Sequence, residues 1–324
     1  MINVSIVGGT GYTAGELLRI LLNHPHVQID SVISSTSVGT PVSDVHRDLF
    51  GETDLRFTDT FNNPDVIFLC LGHGLSRNFL DENDIPEKCK IIDLGNDFRN
   101  SPDYANRNFV FGLCELNREK IRETNNVANP GCFATSIILA LLPLASENKL
   151  KEDVHVHAIT GSTGAGKRPV ETTHFSYRDN NISVYKPFAH QHIEEIRNAL
   201  TYAGNKELPA INFIPMRGDF PRGIFASVYT KWDSSVSESE VVELYKNYYK
   251  DSPSVFVSDE PISLKEVVNT NKCLLHIELH NGYIHITSII DNLLKGASGQ
   301  AVQNMNLMFG LEESTGLKLK GSAF

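Results

Sequence analysis

Positive charge is scarce in this 324-residue chain: 29 Lys and Arg stand against 39 Asp and Glu, a formal net charge of −10. That balance excludes a general binder of nucleic acid or anionic membranes, which needs a broad basic field, and leaves room only for a local basic pocket around a small anion. Cysteine is sparse. Cys70, Cys89, Cys114, Cys132 and Cys273 are odd in number and scattered, with no CxxC pair, which argues for a reducing compartment and against a disulfide framework. A leader is missing too: residues 1–7 carry no basic n-region and run straight into glycines, so a cytoplasmic location is expected. The longest uncharged run, 124–146, holds Asn125, Asn126, Asn129, Pro130 and Gly131 in its first third. The apolar remainder is too short to span a bilayer and reads as a buried helix. Internal repeats and low-complexity linkers are absent. What is left, 41% apolar and 21% charged, is ordinary folded composition. The length suggests about two domains, large enough to hold their cores without metal or disulfide.

The first 145 residues alternate short apolar strands with helical stretches. Residues 3–7 read as a buried strand, Gly8-Gly9-Thr10-Gly11 as a turn, and Ala14 to Leu22 as a helix with apolar Leu17, Leu18, Leu21 and Leu22. Further strands are expected at 28–34, 66–71 and 90–94. This alternation predicts an α/β, Rossmann-like doubly wound domain over 1–145. Residues 146–295 have a different texture. Strands are expected at 154–160, 223–231, 273–280 and 283–290, the last two joined by Asn281-Gly282, a strong hairpin signal. Ser237 and Glu240 form a capping-box pattern for a helix running to Tyr249. This half is expected to be a second α+β domain with a mixed or antiparallel sheet. Residues 296–309 read as one more helix.

Gly8-Gly9-Thr10-Gly11-Tyr12-Thr13-Ala14-Gly15 joins the first strand to the first helix. Glycines there let backbone approach a pyrophosphate, and the helix N-terminus supplies N–H groups and positive dipole. A tight turn that binds nothing would use the same glycines, but the start of a βαβ unit is where a dinucleotide rests. The cofactor-binding candidates are therefore Gly8, Thr10, Gly11, Tyr12, Thr13 and Ala14. The second strand ends in Ile33-Ser34-Ser35-Thr36-Ser37, with no acidic residue before Asp44. NAD binders carry a carboxylate there for the ribose 2′-OH. Hydroxyls at Ser34 and Ser35 with no carboxylate favour NADP(H), although no Arg or Lys stands in that loop.

Asn129-Pro130-Gly131-Cys132 precedes the apolar run Ile137–Leu144. A Pro-Gly turn puts Cys132 at or near a helix N-terminus, where the dipole favours thiolate. A buried structural cysteine is the competing reading. The other four lack this setting: Cys70 lies within a strand, Cys273 begins one, and Cys89 and Cys114 fall in loops. A thiolate beside a nicotinamide suggests attack on an acyl donor, a thioester, and its reduction to an aldehyde with acid/base help.

Eight segments occur in order along nearly the whole chain: GGTGYTAGELLRIL, FLCLGHG, IIDLGNDFR, NPGCFATS, GSTGAGKRP, AHQHIEE, FPRGI and NLLKGASGQAVQN. Together they resemble the N-acetyl-γ-glutamyl-phosphate reductases of arginine biosynthesis, relatives of aspartate-semialdehyde dehydrogenase. The resemblance implies an NADP-dependent acyl-phosphate reductase in which Cys132 is acylated and His190, His192 and Glu195 supply the acid/base group, Glu195 orienting a histidine. His-x-His spacing puts the two rings on opposite sides of an extended chain, or about 200° apart on a helix, so one of them is expected to reach the thiol. Gly161, Ser162 and Gly164 match the substrate loop beside the nicotinamide, with Lys167 and Arg168 following as cations that could meet an anion. Arg222 matches the RGI segment, Asn129 the substrate side, and Asn292 the nicotinamide carboxamide; residues 296–324 would return to the first domain. Arg99 follows the fourth strand at its C-terminal end, where such sheets bind ligands, and is a candidate for substrate phosphate or carboxylate. The implied partners are an acyl-phosphate substrate, inorganic phosphate and copies of the same chain, as a homodimer or homotetramer. Alternatives are an aspartyl-phosphate or other N-acyl substrate, or a non-catalytic NADP-binding regulator, which would be expected to lack Cys132 or the histidines.

The 273–290 hairpin presents His276, Glu278, His280 and His285, with Glu278 opposite His285. That is metal-ligand chemistry, but polar residues alternating with Leu275, Ile277 and Leu279 are also what a half-exposed strand looks like, and no metal is expected.

Overall fold

A computed structural model describes residues 1–204, 206–233 and 235–322. Ala323 and Phe324, the end of the expected C-terminal segment, lie outside the described residues. The chain divides into two compact units: Met1–Pro130 with Ala297–Lys318, and Gly131–Gly296 with the residues from Leu319.

In chain order the first unit holds β1 (Ile2–Val7), α1 (Tyr12–Leu21), β2 (Val27–Ile33), α2 (Val42–Val45), β3 (Phe57–Thr58), β4 (Val66–Leu69), α3 (Leu75–Glu82), β5 (Lys90–Asp93), β6 (Asp103–Tyr104), β7 (Arg107–Asn108), β8 (Val110–Phe111), α4 (Cys114–Glu123) and β9 (Asn126–Ala128). Its main sheet runs β3-β2-β1-β4-β5-β9-β8, and every pair is parallel. The order reverses between β1 and β4, the point at which doubly wound sheets bind nucleotides. The middle of the sheet is apolar, as expected of a parallel sheet buried on both faces: Val4, Ile6, Phe68, Ile91 and Ile92 are all fully buried. Two corrections concern cysteines. Cys70 lies one residue past β4 rather than within a strand, and Cys114 opens α4 rather than lying in a loop.

The second unit holds α5 (Cys132–Ser146), β10 (Val154–Thr160), α6 (Phe175–Arg178), β11 (Ser183–Val184), α7 (His192–Ala203), β12 (Ile211–Arg217), β13 (Ile224–Lys231), α8 (Glu238–Tyr249), β14 (Val255–Ser258), β15 (Cys273–His280) and β16 (Tyr283–Ile290). The sheet order is β11-β12-β10-β13-β16-β15-β14. It is mixed: β10–β12 and β14–β15 are parallel, the rest antiparallel. The β15–β16 turn uses Asn281 and Gly282 at φ 49° and 79°, the double positive φ that the right-handed strand twist requires. The Ser237–Glu240 capping box forms as the sequence predicts.

The central helix α5 packs against the sheet and α7. Every residue from Phe133 to Ala145 is buried, which explains its apolar character all round. Pro143 sits inside it. Proline has no N–H, so the carbonyl of Leu139 loses its helical donor. The Tyr249 hydroxyl of α8 donates to that carbonyl at 2.6 Å, and Tyr245 donates to the next one, on Ala140, also at 2.6 Å. After a π turn at Leu294–Ser298, α9 (Gly299–Met308) packs on α4 and α1 of the first unit.

Candidate active site

In the first unit the glycine turn is shaped by close approaches. The N–H groups of Gly8 and Gly9 both donate to the Ile33 carbonyl, at 3.1 and 2.8 Å. Gly8 adopts φ +80°, and a Cβ there would lie 2.5 Å from the Cys70 carbonyl oxygen. A Cβ on Gly15 would lie 2.7 Å from His46 Nδ1, and His46 Nε2 hydrogen-bonds the Gly9 carbonyl at 2.7 Å. Gly15 thus makes the close helix contact, and Ala14, fully buried beside it, is tolerated where glycine is common. His46 clamps the turn from far along the chain, and nothing in the local sequence marks it. No side chain caps α1 at Gly11, and no acidic residue stands in its first turn. Tyr12 and Thr13 open the helix there, so these N–H groups fit a dinucleotide pyrophosphate.

The end of β2 is less bare than the sequence suggests. Ser34 is buried with its hydroxyl 3.3 Å from that of Thr36, and Ser35 is exposed. The loop itself holds no Arg or Lys, but β3 pairs Phe57 and Thr58 with Val32 and Ile33. This brings Arg56 to the same loop, where its Nη1 donates to the Gly39 carbonyl at 2.7 Å.

Two substrate candidates also lie in this unit, and both serve its fold. Asn129 is buried; its amide donates to the Ala297 carbonyl at 3.0 Å and its side-chain oxygen accepts from Asn304 at 3.0 Å. Arg99 donates from Nε to the Asn129 carbonyl and from Nη2 to that of Leu94, at 2.8 and 2.9 Å.

In the second unit Cys132 is the first residue of α5, with Gly131 as its N-cap and no side-chain cap. The Gly131 N–H donates to Glu195 Oε1 at 2.7 Å, so Glu195 pins the turn that presents the cysteine. Cys132 is half-buried. Among the other cysteines, burial pushes Cys70 up to about 12 and Cys89 up to about 11. Cys114, although also at a helix start, is fully buried and donates to Asn304 Oδ1 at 3.1 Å.

His190 and His192 do not diverge. Their ring centroids are 4.7 Å apart, and both rings meet Phe133, the residue after Cys132, at 5.5 and 6.3 Å. The intervening Gln191 is neither extended nor within a full helix but caps α7. The backbone N–H of His192 donates to His190 Nδ1 at 3.3 Å, folding the first ring over the helix start. His190 is lowered to about 4, by burial first and then by the charges of Lys186 and Arg217. It is therefore neutral at pH 7, with Nδ1 accepting and its proton on Nε2.

Sequence reasoning missed two members of this cluster. The Tyr185 ring meets His190 at 5.7 Å; its hydroxyl is raised by burial and by the charge of Cys132. Arg217, the last residue of β12, stacks its guanidinium 4.7 Å from the Tyr185 centroid. An aromatic a few residues before the histidines and an arginine ending a strand were the available signals.

The 161–165 loop is held against the segment 220–223. Gly161 and Ser162 N–H groups donate to the Gly223 and Phe220 carbonyls, each at 2.9 Å. Asn292 ties both, accepting from the Gly223 N–H at 2.7 Å and donating to Thr163 Oγ1 at 3.0 Å; Gly164 lies beside it. Arg222 forms a two-pronged pair with the fully buried Asp291, at 3.0 and 3.2 Å. On the hairpin, Glu278 has His285, His280 and His276 at 3.3, 3.5 and 3.9 Å. No group of three or more candidate ligands among the described residues could hold a metal. No described helix is long and apolar enough to cross a membrane.

A nucleotide-type turn on a parallel sheet in the first unit, and a helix-terminal cysteine with paired histidines in the second, are the features of an oxidoreductase. Family models agree with that class: the semialdehyde dehydrogenase NAD-binding domain matches residues 3–124 and its dimerisation domain residues 132–292. In fold, the chain resembles aspartate semialdehyde dehydrogenase II complexed with ASA from Vibrio cholerae, at TM-score 0.72 and 18% identity over 96% of this chain and 98% of that one. It also resembles aspartate semialdehyde dehydrogenase with NADP from Candida albicans, at TM-score 0.71 and 12% identity over 95% and 99%. Sequence relatives are nearer. Proteins named N-acetyl-gamma-glutamyl-phosphate reductase match over the full length of both chains, at 55% identity in Flavobacterium johnsoniae and 54% in both Phocaeicola vulgatus and Bacteroides thetaiotaomicron. The chain belongs to the N-acetyl-γ-glutamyl-phosphate reductase family and is an NADP-dependent oxidoreductase.

Proposed function

We propose that this chain reduces N-acetyl-γ-glutamyl phosphate to the corresponding 5-semialdehyde through a thioester on Cys132, a step of arginine biosynthesis. The observation that carries the reading is Cys132 at the start of α5, where the next residue, Phe133, packs against the rings of both His190 and His192, in a chain more than half identical to reductases of that name. The first unit is the cofactor unit. Gly8 to Ala14 hold the pyrophosphate, and Ser34, Ser35 and Arg56 take the 2′-phosphate. When bound, NADPH supplies the hydride that reduces the thioester.

The chain's own residues do the rest. The α5 dipole favours the Cys132 thiolate, with His192 accepting the thiol proton and later returning it. The sulfur attacks the acyl carbon, the carbon–oxygen bond to phosphate breaks, and inorganic phosphate leaves. His190, kept neutral, donates from Nε2 to the carbonyl oxygen as negative charge develops there, in both acylation and reduction. Glu195 acts by holding the Gly131–Cys132 turn. Gly161, Ser162 and Gly164 line the substrate side, with Asn292 and the Arg222–Asp291 pair positioning that loop. The dimerisation model matched by the second unit supports assembly as a homodimer or homotetramer.

The test is the reverse reaction, following NADPH absorbance with NADP+, phosphate and either N-acetylglutamate semialdehyde or aspartate semialdehyde. Turnover is expected with the acetylated compound, and Cys132→Ser is expected to abolish it while leaving NADP+ binding intact. Equal use of the two aldehydes, or turnover by Cys132→Ser, refutes the reading.

A further inference from the structure

The partly or fully buried arginines Arg178, Arg217 and Arg222 of the second unit are held in different ways. Arg222 is paired with Asp291. Arg178 directs its guanidinium to the carbonyls of Thr172, Asn181 and Arg217 and to the Ser183 hydroxyl. Arg217 is different. Its Nη1 makes one long contact, 3.4 Å to Thr172 Oγ1, and its buried Nε has no hydrogen-bond partner among the described residues. No described carboxylate pairs with it. A half-buried cation left this way is costly unless an anion arrives.

The rest of the surroundings point the same way. β12 pairs with β10, which sets Arg217 opposite Thr160, just before the Gly161–Ser162 loop. Arg178 grips the Arg217 carbonyl at 2.6 Å, and the Tyr185 ring stacks on the guanidinium. The fork is therefore held in one orientation, as planar recognition of a carboxylate requires. Lys186 lies next to Tyr185 at a left-handed φ of 46° and adds an exposed charge of the same sign. Strain of this kind is retained at functional sites.

We propose that Arg217 binds the α-carboxylate of the acyl substrate, with Tyr185 as the platform that orients it. The assignment rests on the proposed reaction. The carboxylate, not the phosphate, is the matching anion for a geometric reason. Phosphate is attached at the reacting carbon and leaves on acylation, whereas the α-carboxylate of a glutamyl chain lies about 5 Å further out when extended and stays bound through both steps. Tyr185 links the arginine to the catalytic cluster: its ring lies 4.7 Å from the Arg217 guanidinium and 5.7 Å from the His190 ring.

The experiment compares N-acetylglutamate semialdehyde with its α-carboxamide, in the reverse reaction, for wild type, Arg217→Gln and Arg217→Lys. Wild type is expected to favour the acid by roughly 10- to 100-fold in kcat/KM, the range for charge-assisted hydrogen bonds. Arg217→Gln is expected to lose that preference, through a raised KM for the acid, with KM for NADP+ and for phosphate and the melting temperature unchanged. Arg217→Lys should fall between. If Arg217→Gln keeps the wild-type preference, or if KM for phosphate moves instead, the assignment is overturned. A wild type silent on both aldehydes overturns the functional reading, and the assignment falls with it.

Discussion

Replacing Tyr249 with Phe removes one oxygen atom from α8, and the consequence depends on a proline in another helix. Pro143 deprives the Leu139 carbonyl of its helical donor, and the Tyr249 hydroxyl, 2.6 Å away, takes that place. Tyr249 is 4% exposed, so water cannot substitute. Losing the donor costs the hydrogen bond and strands a buried carbonyl, about 1–3 kcal/mol. For a unit of this size that lowers the melting temperature by roughly 2–4 °C per kcal/mol. Pro143→Ala restores an N–H four residues after Leu139. In that background the hydroxyl is redundant, and Tyr249→Phe should cost less than about 1 kcal/mol. Urea midpoints of wild type, both single variants and the double variant measure the coupling. An equal cost of Tyr249→Phe with and without Pro143 refutes the account of the helix.

Arg56→Gln should raise KM for NADPH several-fold and leave that for NADH unchanged; parallel changes in both would remove Arg56 from the 2′-phosphate. His190 is lowered from 6.5 to about 4, so between these values the unfolded chain binds a proton that the folded chain does not. Stability therefore rises with pH across that window and is lost as pH falls through it. His190→Gln should flatten the profile there, and an unchanged slope between pH 4 and 6.5 counts against it. Iodoacetamide should label Cys132 first, with Cys70 held back by its raised thiol value and Cys89 by burial as well; mass spectrometry of the labelled peptides decides.

The elements legible in sequence are those with long period or special turn chemistry. β10, β15 and β16 match their expected limits, because strict alternation and Asn-Gly mark them. The strands β3, β8 and β9 have two or three residues each, too few for a period, and exist because neighbours hold them. The same distinction runs through the site. Cys132 was legible because a Pro-Gly turn before an apolar run places it at a helix start. The mutual placement of His190 and His192 was not, because it depends on Gln191 turning between them. His46, Arg56, Tyr185 and Arg217 act through contacts across the fold, on which local sequence is silent.

The pairing of Arg222 with Asp291 has a consequence for how this family can change. The Asp291 carboxylate also accepts N–H bonds from Asn269 and Leu293, each at 2.8 Å, and from Leu294 at 3.2 Å. Losing Arg222 alone leaves a carboxylate in the core without its counter-ion, about 3–5 kcal/mol of destabilisation. Losing Asp291 alone frees three backbone donors as well. Neither partner can drift by itself, so the pair forms a mutational barrier that lineages cross only in a double step. A dead Arg222 variant would then report a collapsed loop, not a missing ligand contact.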